Sequence, residues 1–172
     1  MGMLAEWRYC PRCAAPLVHH GGKVECEACG LIHYASSAPA VSALVVDDAG
    51  RLLLARRAIE PDAGRWDALG GFLDEGEEPL AGLRRELREE TGAEIEIGNF
   101  VGVYADRYGK GADASPVLNL VWEARIGSGQ PAPADDVAEL RWFAHDALPP
   151  DGELAFRWLA PCLRAWATTA AR

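Results

Sequence analysis

The chain has 172 residues, 49% of them hydrophobic and 25% charged, which fits a soluble globular domain of ordinary size plus a small appendage. A formal net charge of −9 and a pI of about 4.9 exclude bulk binding to nucleic acid or an anionic membrane, which needs a basic surface. No apolar run approaches the ~20 residues of a membrane helix, and MGMLAEWRYC lacks a basic region followed by an apolar one, so the expected location is the cytoplasm.

Residues 1–34 read as the appendage. Cys10, Cys13, Cys26 and Cys29 form CPRC and CEAC, with twelve residues between the pairs. Disulfides are disfavoured in the cytosol, and two CxxC pairs at this spacing fit a tetrahedral thiolate zinc site. The segment resembles a zinc ribbon. Four thiolates would leave no open position, so the Zn²⁺ would be structural. His19, His20 and His33 are then surface residues rather than ligands. Leu17 and Val18 before Gly21-Gly22, and Val24 after it, predict a short hairpin joining the pairs. Tyr34 to Pro39 reads as a connector.

Residues 35–172 read as the main domain. Ala40–Val46 and Arg51–Arg57 are strands around a DDAG turn, followed by a Pro- and Gly-containing loop over Ile59–Gly64. A helix is expected from Pro79 to Thr91, with Pro79 in its first turn and Gly92 at the left-handed C′ position. Ile95–Ala105, Val117–Ala124 and Leu140–Phe143 are further strands. Glu153–Ala167 reads as a second helix with Phe156, Leu159, Leu163 and Trp166 near one face, kinked or shortened by Pro161. Cys162 is expected to be buried on it. Strands mixed with two helices predict an α/β fold in α/β/α layers.

The stretch Gly71–Ala93, GFLDEGEEPLAGLRRELREETGA, carries the chemistry. Glu86, Glu89 and Glu90 are spaced i, i+3 and i+4, so a helix puts all three on one face. Leu80, Leu83 and Leu87 form a second stripe that faces a core. Like charges at this spacing repel unless a hard divalent cation reverses the sign, and carboxylate oxygens suit Mg²⁺ or Mn²⁺. The bland alternative is a solvated face of Arg–Glu pairs. Gly70-Gly71 allows a close backbone approach.

The stretch resembles the signature of the Nudix hydrolases: Gly, five residues, Glu, seven residues, Arg-Glu, an aliphatic, any residue, Glu-Glu, any residue, Gly, then an aliphatic. Gly71, Glu77, Arg85, Glu86, Leu87, Glu89, Glu90, Gly92 and Ala93 occupy those positions. Ala93 is smaller than usual, and Leu69 stands where the family often has proline. The resemblance implies a mixed sheet between helices and hydrolysis of a phosphoanhydride bond in a nucleoside diphosphate linked to another moiety. It implies Glu86, Glu89 and Glu90 as Mg²⁺ or Mn²⁺ ligands, with the Gly70 carbonyl as a further candidate. Arg85 would orient Glu86, and Glu77 would support Arg85. The general base is a box glutamate or a downstream acid; the downstream candidates are Asp136 and Glu139, with Asp113 less favoured.

A ribbon ahead of such a box resembles the NADH pyrophosphatase branch. That branch carries Ser-Gln-Pro-Trp-Pro-Phe-Pro downstream, and Phe100–Pro116 has nothing like it, so NADH, ADP-ribose and similar conjugates are equally open. Trp66, Phe72, Tyr104, Tyr108 and Trp122 are candidate base-stacking residues. The family often dimerises, so a homodimer is an open partner. The alternative is a non-catalytic nucleotide-sensing module, or one that docks a protein or RNA. No box carboxylate is lost, which disfavours the sensor, and the ribbon offers only Arg8, Arg12 and Lys23 to an RNA end.

Overall fold

The computed structural model describes residues 3–111 and 114–170. The N-terminal segment carries a three-stranded antiparallel sheet of β1 (Val18–His19), β2 (Lys23–Glu25) and β3 (Ile32–Tyr34), in the order β1-β2-β3. The expected hairpin is present, with Val18 opposite Glu25 and His19 opposite Val24. The third strand includes Tyr34, so the connector is shorter than its sequence suggests. Leu4, Cys10, Val24 and Cys26 are the buried hydrophobic residues described in this segment.

The second sheet has seven strands: β4 (Ala38–Val46), β5 (Leu52–Arg57), β6 (Trp66–Asp67), β7 (Leu69–Phe72), β8 (Glu94–Tyr108), β9 (Ser115–Ser128) and β10 (Val137–Phe143). The order is β10-β5-β4-β9-β8, with β6 on β5 and β7 on β4. β4 and β9 are parallel, and the other pairs are antiparallel. The sheet is therefore mixed, as expected.

Strand alternation divides the core in two. Val41, Ala43 and Val45 of β4, with Leu53 and Ala55 of β5, face helix α1 (Pro79–Thr91) through Leu83 and Leu87. Leu44, Leu52 and Leu54 face the opposite way, against Leu159, Cys162, Leu163 and Trp166 of helix α2 (Leu159–Ala170). The layers are thus α/β/α. Burial pushes the Cys162 thiol up to about 11, against a hydrogen bond with Tyr104.

Helix α1 matches its expected limits because its ends are locally encoded. The Glu78 side chain accepts the Ala81 N–H at 3.0 Å, Pro79 opens the helix, and Gly92 ends it at φ 68°. One detail differs: Leu83 and Leu87 are buried but Leu80 is only half-buried. Helix α2 starts later than expected, after a 3-10 turn at Asp151–Glu153. Pro161 lies in its first turn, where no intrahelical N–H is needed, so it opens the helix rather than kinking it. Phe156 precedes the helix instead of joining its face.

Candidate active site

A cleft of about 360 Å³ opens where β7, the second half of α1 and the chain before α2 converge. Its wall includes Gly70, Gly71, Phe72, Arg85, Glu86 and Glu90. It holds seven acids (Asp67, Asp74, Glu86, Glu90, Asp106, Asp135 and Asp136) against three arginines (Arg57, Arg85 and Arg107), so carboxylate charge is in excess.

Strand β7 lies close to α1 on one side and to β4 on the other because it carries a glycine at each contact. A Cβ on Gly71 would lie 2.6 Å from the Glu86 carboxyl carbon. A Cβ on Gly70, at φ 136°, would lie 2.1 Å from the Val41 carbonyl oxygen. The closeness is used: the Gly70 N–H donates to Glu90 Oε2 at 2.8 Å.

The three helix carboxylates differ sharply in environment. Glu89 is exposed, Glu86 is intermediate, and Glu90 is buried. Burial pushes Glu90 well above the usual carboxylate range; the Gly70 N–H opposes this, and the charges of Asp136, Asp67 and Glu86 add to it. Burial also raises Glu86, against its hydrogen bond from Arg85.

Arg85 is the hub. Its Nε and Nη2 form a fork on Glu77 at 2.9 and 2.7 Å, and Nη1 donates to Glu86 at 2.8 Å and Glu89 at 3.1 Å. Nη2 also donates to the Phe72 carbonyl at 3.2 Å. The Arg85 fork, helped by the Asp74 N–H, lowers Glu77 to about 2. Gly82 makes room for this fork, since a Cβ there would meet Leu73 at 2.4 Å and Glu77 at 2.8 Å.

The two downstream acids separate. Asp136 lines the cleft. Its loop docks on the end of α1 through Ala134 N–H to the Glu90 carbonyl (2.9 Å) and Ala132 N–H to the Thr91 carbonyl (3.0 Å). Glu139, on β10, pairs with Arg56 at 3.5 Å and with Arg141, and does not line the cleft. Asp113 lies outside the described residues. Of the five candidate stacking aromatics, Phe72 and Tyr108 line the cleft; Trp66 is buried, Tyr104 packs on Trp158, and Trp122 packs on Phe100.

Sequence reading missed Asp67, Arg57, Asp106, Asn119, Phe156 and Trp158, all in the cleft wall. Asp67 could have been noticed as a lone acid in the apolar run Trp66–Leu69. Burial raises it to about 7, against the pull of Arg57.

In the N-terminal segment, the four Cys Sγ atoms all lie within 4.8 Å of one another, with 3.6 Å between Cys10 and Cys29 and 3.5 Å between Cys13 and Cys26. Each CxxC turns alike: Ala14 N–H returns to the Cys10 carbonyl (2.9 Å) and Gly30 N–H to the Cys26 carbonyl (2.8 Å), with Ala14 and Gly30 at φ 60° and 72°. Burial raises Cys10, but the N–H groups of Arg12 and Cys13 and the thiol contacts outweigh it and bring Cys10 to about 7. The Ala15 N–H lowers Cys13, yet contacts with Cys26 and Cys29 push it up to about 12. Four thiolates within 4.8 Å of one another would repel strongly unless a cation lay between them. No histidine joins the cluster: His19 contacts the Trp7 carbonyl at 2.7 Å and His33 stacks on Trp7.

The NUDIX domain family model matches residues 36–162. An NAD-capped RNA hydrolase from Stutzerimonas stutzeri is 28% identical over 149 residues, covering 85% of this chain and 51% of that protein. A mitochondrial NAD(P)H pyrophosphatase from Homo sapiens is 33% identical over 144 residues, covering 81% of this chain and 39% of that protein. The chain thus spans about half or less of the length of these relatives. A MutT NUDIX hydrolase structure from Burkholderia pseudomallei is 29% identical, with a TM-score of 0.66 over 76% of this chain and 98% of that one. A NUDIX hydrolase from Nitrosomonas europaea shares the fold at a TM-score of 0.76, 24% identical over 94% of this chain and 90% of that one. With the model matched across β4 to α2, the chain belongs to the NUDIX domain family.

Proposed function

We propose that this chain hydrolyses a phosphoanhydride bond in a nucleoside diphosphate linked to another moiety, such as NADH or ADP-ribose, with Mg²⁺ or Mn²⁺. The observation that carries this is Glu90: a buried carboxylate held by one backbone N–H, among an excess of acids, in an open cleft. Carboxylate oxygens are the donor set that hard divalent cations take, so the residues fit the ion. Glu86, Glu89 and Glu90 would hold it, with the Gly70 carbonyl as a further ligand. Such an ion supplies neutralisation of phosphate charge and a lowered pKa for a bound water.

The rest is done by side chains. Arg85 fixes the rotamers of Glu86 and Glu89, and Glu77 fixes Arg85. Asp136 would accept the proton of the attacking water, favoured over Glu139 by its place in the cleft wall. Phe72 and Tyr108, with Phe156, offer ring faces to a base. The names of the relatives, an NAD-capped RNA hydrolase and an NAD(P)H pyrophosphatase, support a dinucleotide-like substrate.

We assign residues 1–34 to a ribbon holding one structural Zn²⁺ through Cys10, Cys13, Cys26 and Cys29, and 35–172 to the hydrolase domain. No helix among the described residues is long and apolar enough to cross a membrane. Five cysteines, none in a disulfide, fit a reducing compartment such as the cytoplasm. A homodimer is an open alternative to a monomer, and the mass in solution decides between them.

The test is release of nucleoside monophosphate from a panel of NADH, ADP-ribose, nucleotide sugars and NAD-capped RNA, with Mg²⁺ or Mn²⁺. Turnover of at least one that stops on chelation is expected. Binding without turnover across the panel would replace the hydrolase reading with a nucleotide-sensing module.

A further inference from the structure

The three arginines of the cleft are engaged very differently. Arg85 has all three nitrogens committed at 2.7–3.2 Å. Arg107 reaches back along its own hairpin to the Ala114 carbonyl. Arg57, at the end of β5, has one short anchor: Nε donates to the Pro61 carbonyl at 2.8 Å. The contacts of its terminal nitrogens are all long: Nη1 lies 3.5 Å from Asp67, and Nη2 lies 3.4 Å from the Tyr108 hydroxyl and 3.9 Å from Asp136. A guanidinium has five N–H donors in a rigid fork, and carboxylate partners normally approach to 2.7–2.9 Å. Arg57 therefore carries donor capacity that its neighbours do not use, on a side chain only 11% exposed.

Its plane is nonetheless held. The guanidinium carbon lies 5.3 Å from the Phe156 ring centre and 5.9 Å from that of Tyr108, and the two rings lie 5.6 Å apart. Such a cation–π seat fixes orientation without consuming the N–H groups that point in the guanidinium plane. A planar donor fork, held only by long contacts at its terminal nitrogens and facing the cleft, is a receptor for a phosphate.

The geometry points to Arg57 as the residue that binds a phosphate oxygen of the nucleotide moiety, held in place for that task by Tyr108 and Phe156. This rests on the hydrolase reading for its substrate, but it is tested by binding as well as by turnover. The probe is AMP, titrated calorimetrically with Mg²⁺ present, with adenosine as the control that lacks the phosphate. Arg57→Gln should weaken AMP by at least about tenfold, the scale of a hydrogen bond to a charged group, and leave adenosine unchanged. With a substrate from the panel it should raise KM far more than it lowers kcat, as loss of uniform binding does. Arg57→Lys should fall between, since it keeps the charge and loses the fork.

Asp67→Asn separates this from a structural ion pair and leaves Arg57 in place should Arg57→Gln melt early. It should bind AMP as tightly as wild type or tighter. A folded Arg57→Gln with wild-type affinity for AMP and wild-type KM would overturn the assignment. So would a loss of AMP binding in folded Asp67→Asn, because Arg57 would then be serving Asp67. Absence of turnover in the wild type, with AMP still lost in Arg57→Gln, would remove the hydrolase reading and leave Arg57 as a phosphate receptor.

Discussion

Near the N-terminus, four thiols converge from two backbone turns, and among the described residues only Leu4 and Val24 are buried with Cys10 and Cys26. In the cleft, Glu86 and Glu90 converge, with Glu89 exposed beside them, on a helix wedged into the core by Leu83 and Leu87 and tied by Arg85 to Glu77, Glu86, Glu89 and the Phe72 carbonyl. The first region has too little apolar burial to hold its thiols together, so a metal bound there would supply folding energy. The second is assembled by the fold, and its like charges are held close at the fold's expense. A cation would build one site and be received by the other.

The sharpest way to break this contrast is to remove one ligand from each. Cys13→Ser is expected to abolish tight zinc binding and disorder the ribbon while residues 35–172 keep their sheet. Elemental analysis and far-UV circular dichroism read this, and collapse of the whole spectrum would mean the two regions fold as one. Glu89→Gln or Glu90→Gln should do the reverse, lowering kcat by roughly 10²-fold or more with little loss of structure. Relief of like-charge repulsion could even add a few tenths of a kcal/mol to the metal-free protein. Wild-type turnover in both variants would remove α1 as the catalytic element.

The cost of the cleft's charge can be read from pH. An acid with a raised folded pKa favours the fold fully below its ordinary value and loses that advantage as pH climbs to the folded value. For Asp67 the window runs from 3.8 to about 7. The stability of Asp67→Asn, followed by its melting temperature, should therefore gain on wild type across that window, by up to about 1.4 kcal/mol per pH unit, and level off above it. Parallel profiles would show that Asp67 stays ionised throughout. The smallest effect belongs to the ribbon. Ala14 adopts φ 60°, the conformation its counterpart Gly30 takes without a Cβ. Ala14→Gly should raise the stability of the zinc-loaded ribbon by about 1 kcal/mol or less, seen as a slower metal transfer to a chelator.

What could be read from the sequence follows the range of the forces involved. The limits of α1 depend on Glu78, Pro79 and Gly92, all local, and they were legible. The cysteine cluster depends on spacing alone, and it was legible too. β6 and β7 were not, because a two-residue strand and a four-residue strand containing Gly-Gly exist only through pairing with β5 and β4. Glu139 and Asp136 lie three residues apart and look alike in sequence. A bulge between Val137 and Glu139, and a loop docked on the end of α1, send them to different places. Arg57 and Phe156 meet only because the chain before α2 returns past Trp66, through the Ala155 N–H to the Trp66 carbonyl. Nothing short-range announces that contact.

The parallel pairing of β4 with β9 also governs when the cleft can exist during synthesis. Residues 38–45 wait unpartnered on that side until residues 117–124 have been made, since parallel strands need a long crossover between them. The cysteine cluster closes within the first 29 residues and α1 can coil on its own caps, so both can form on a nascent chain. The wall that holds Phe156 and Trp158 arrives last, and pairings of such long range are the slow ones. A ribosome stalled after α1 would therefore present the carboxylates without the enclosure that makes them a site.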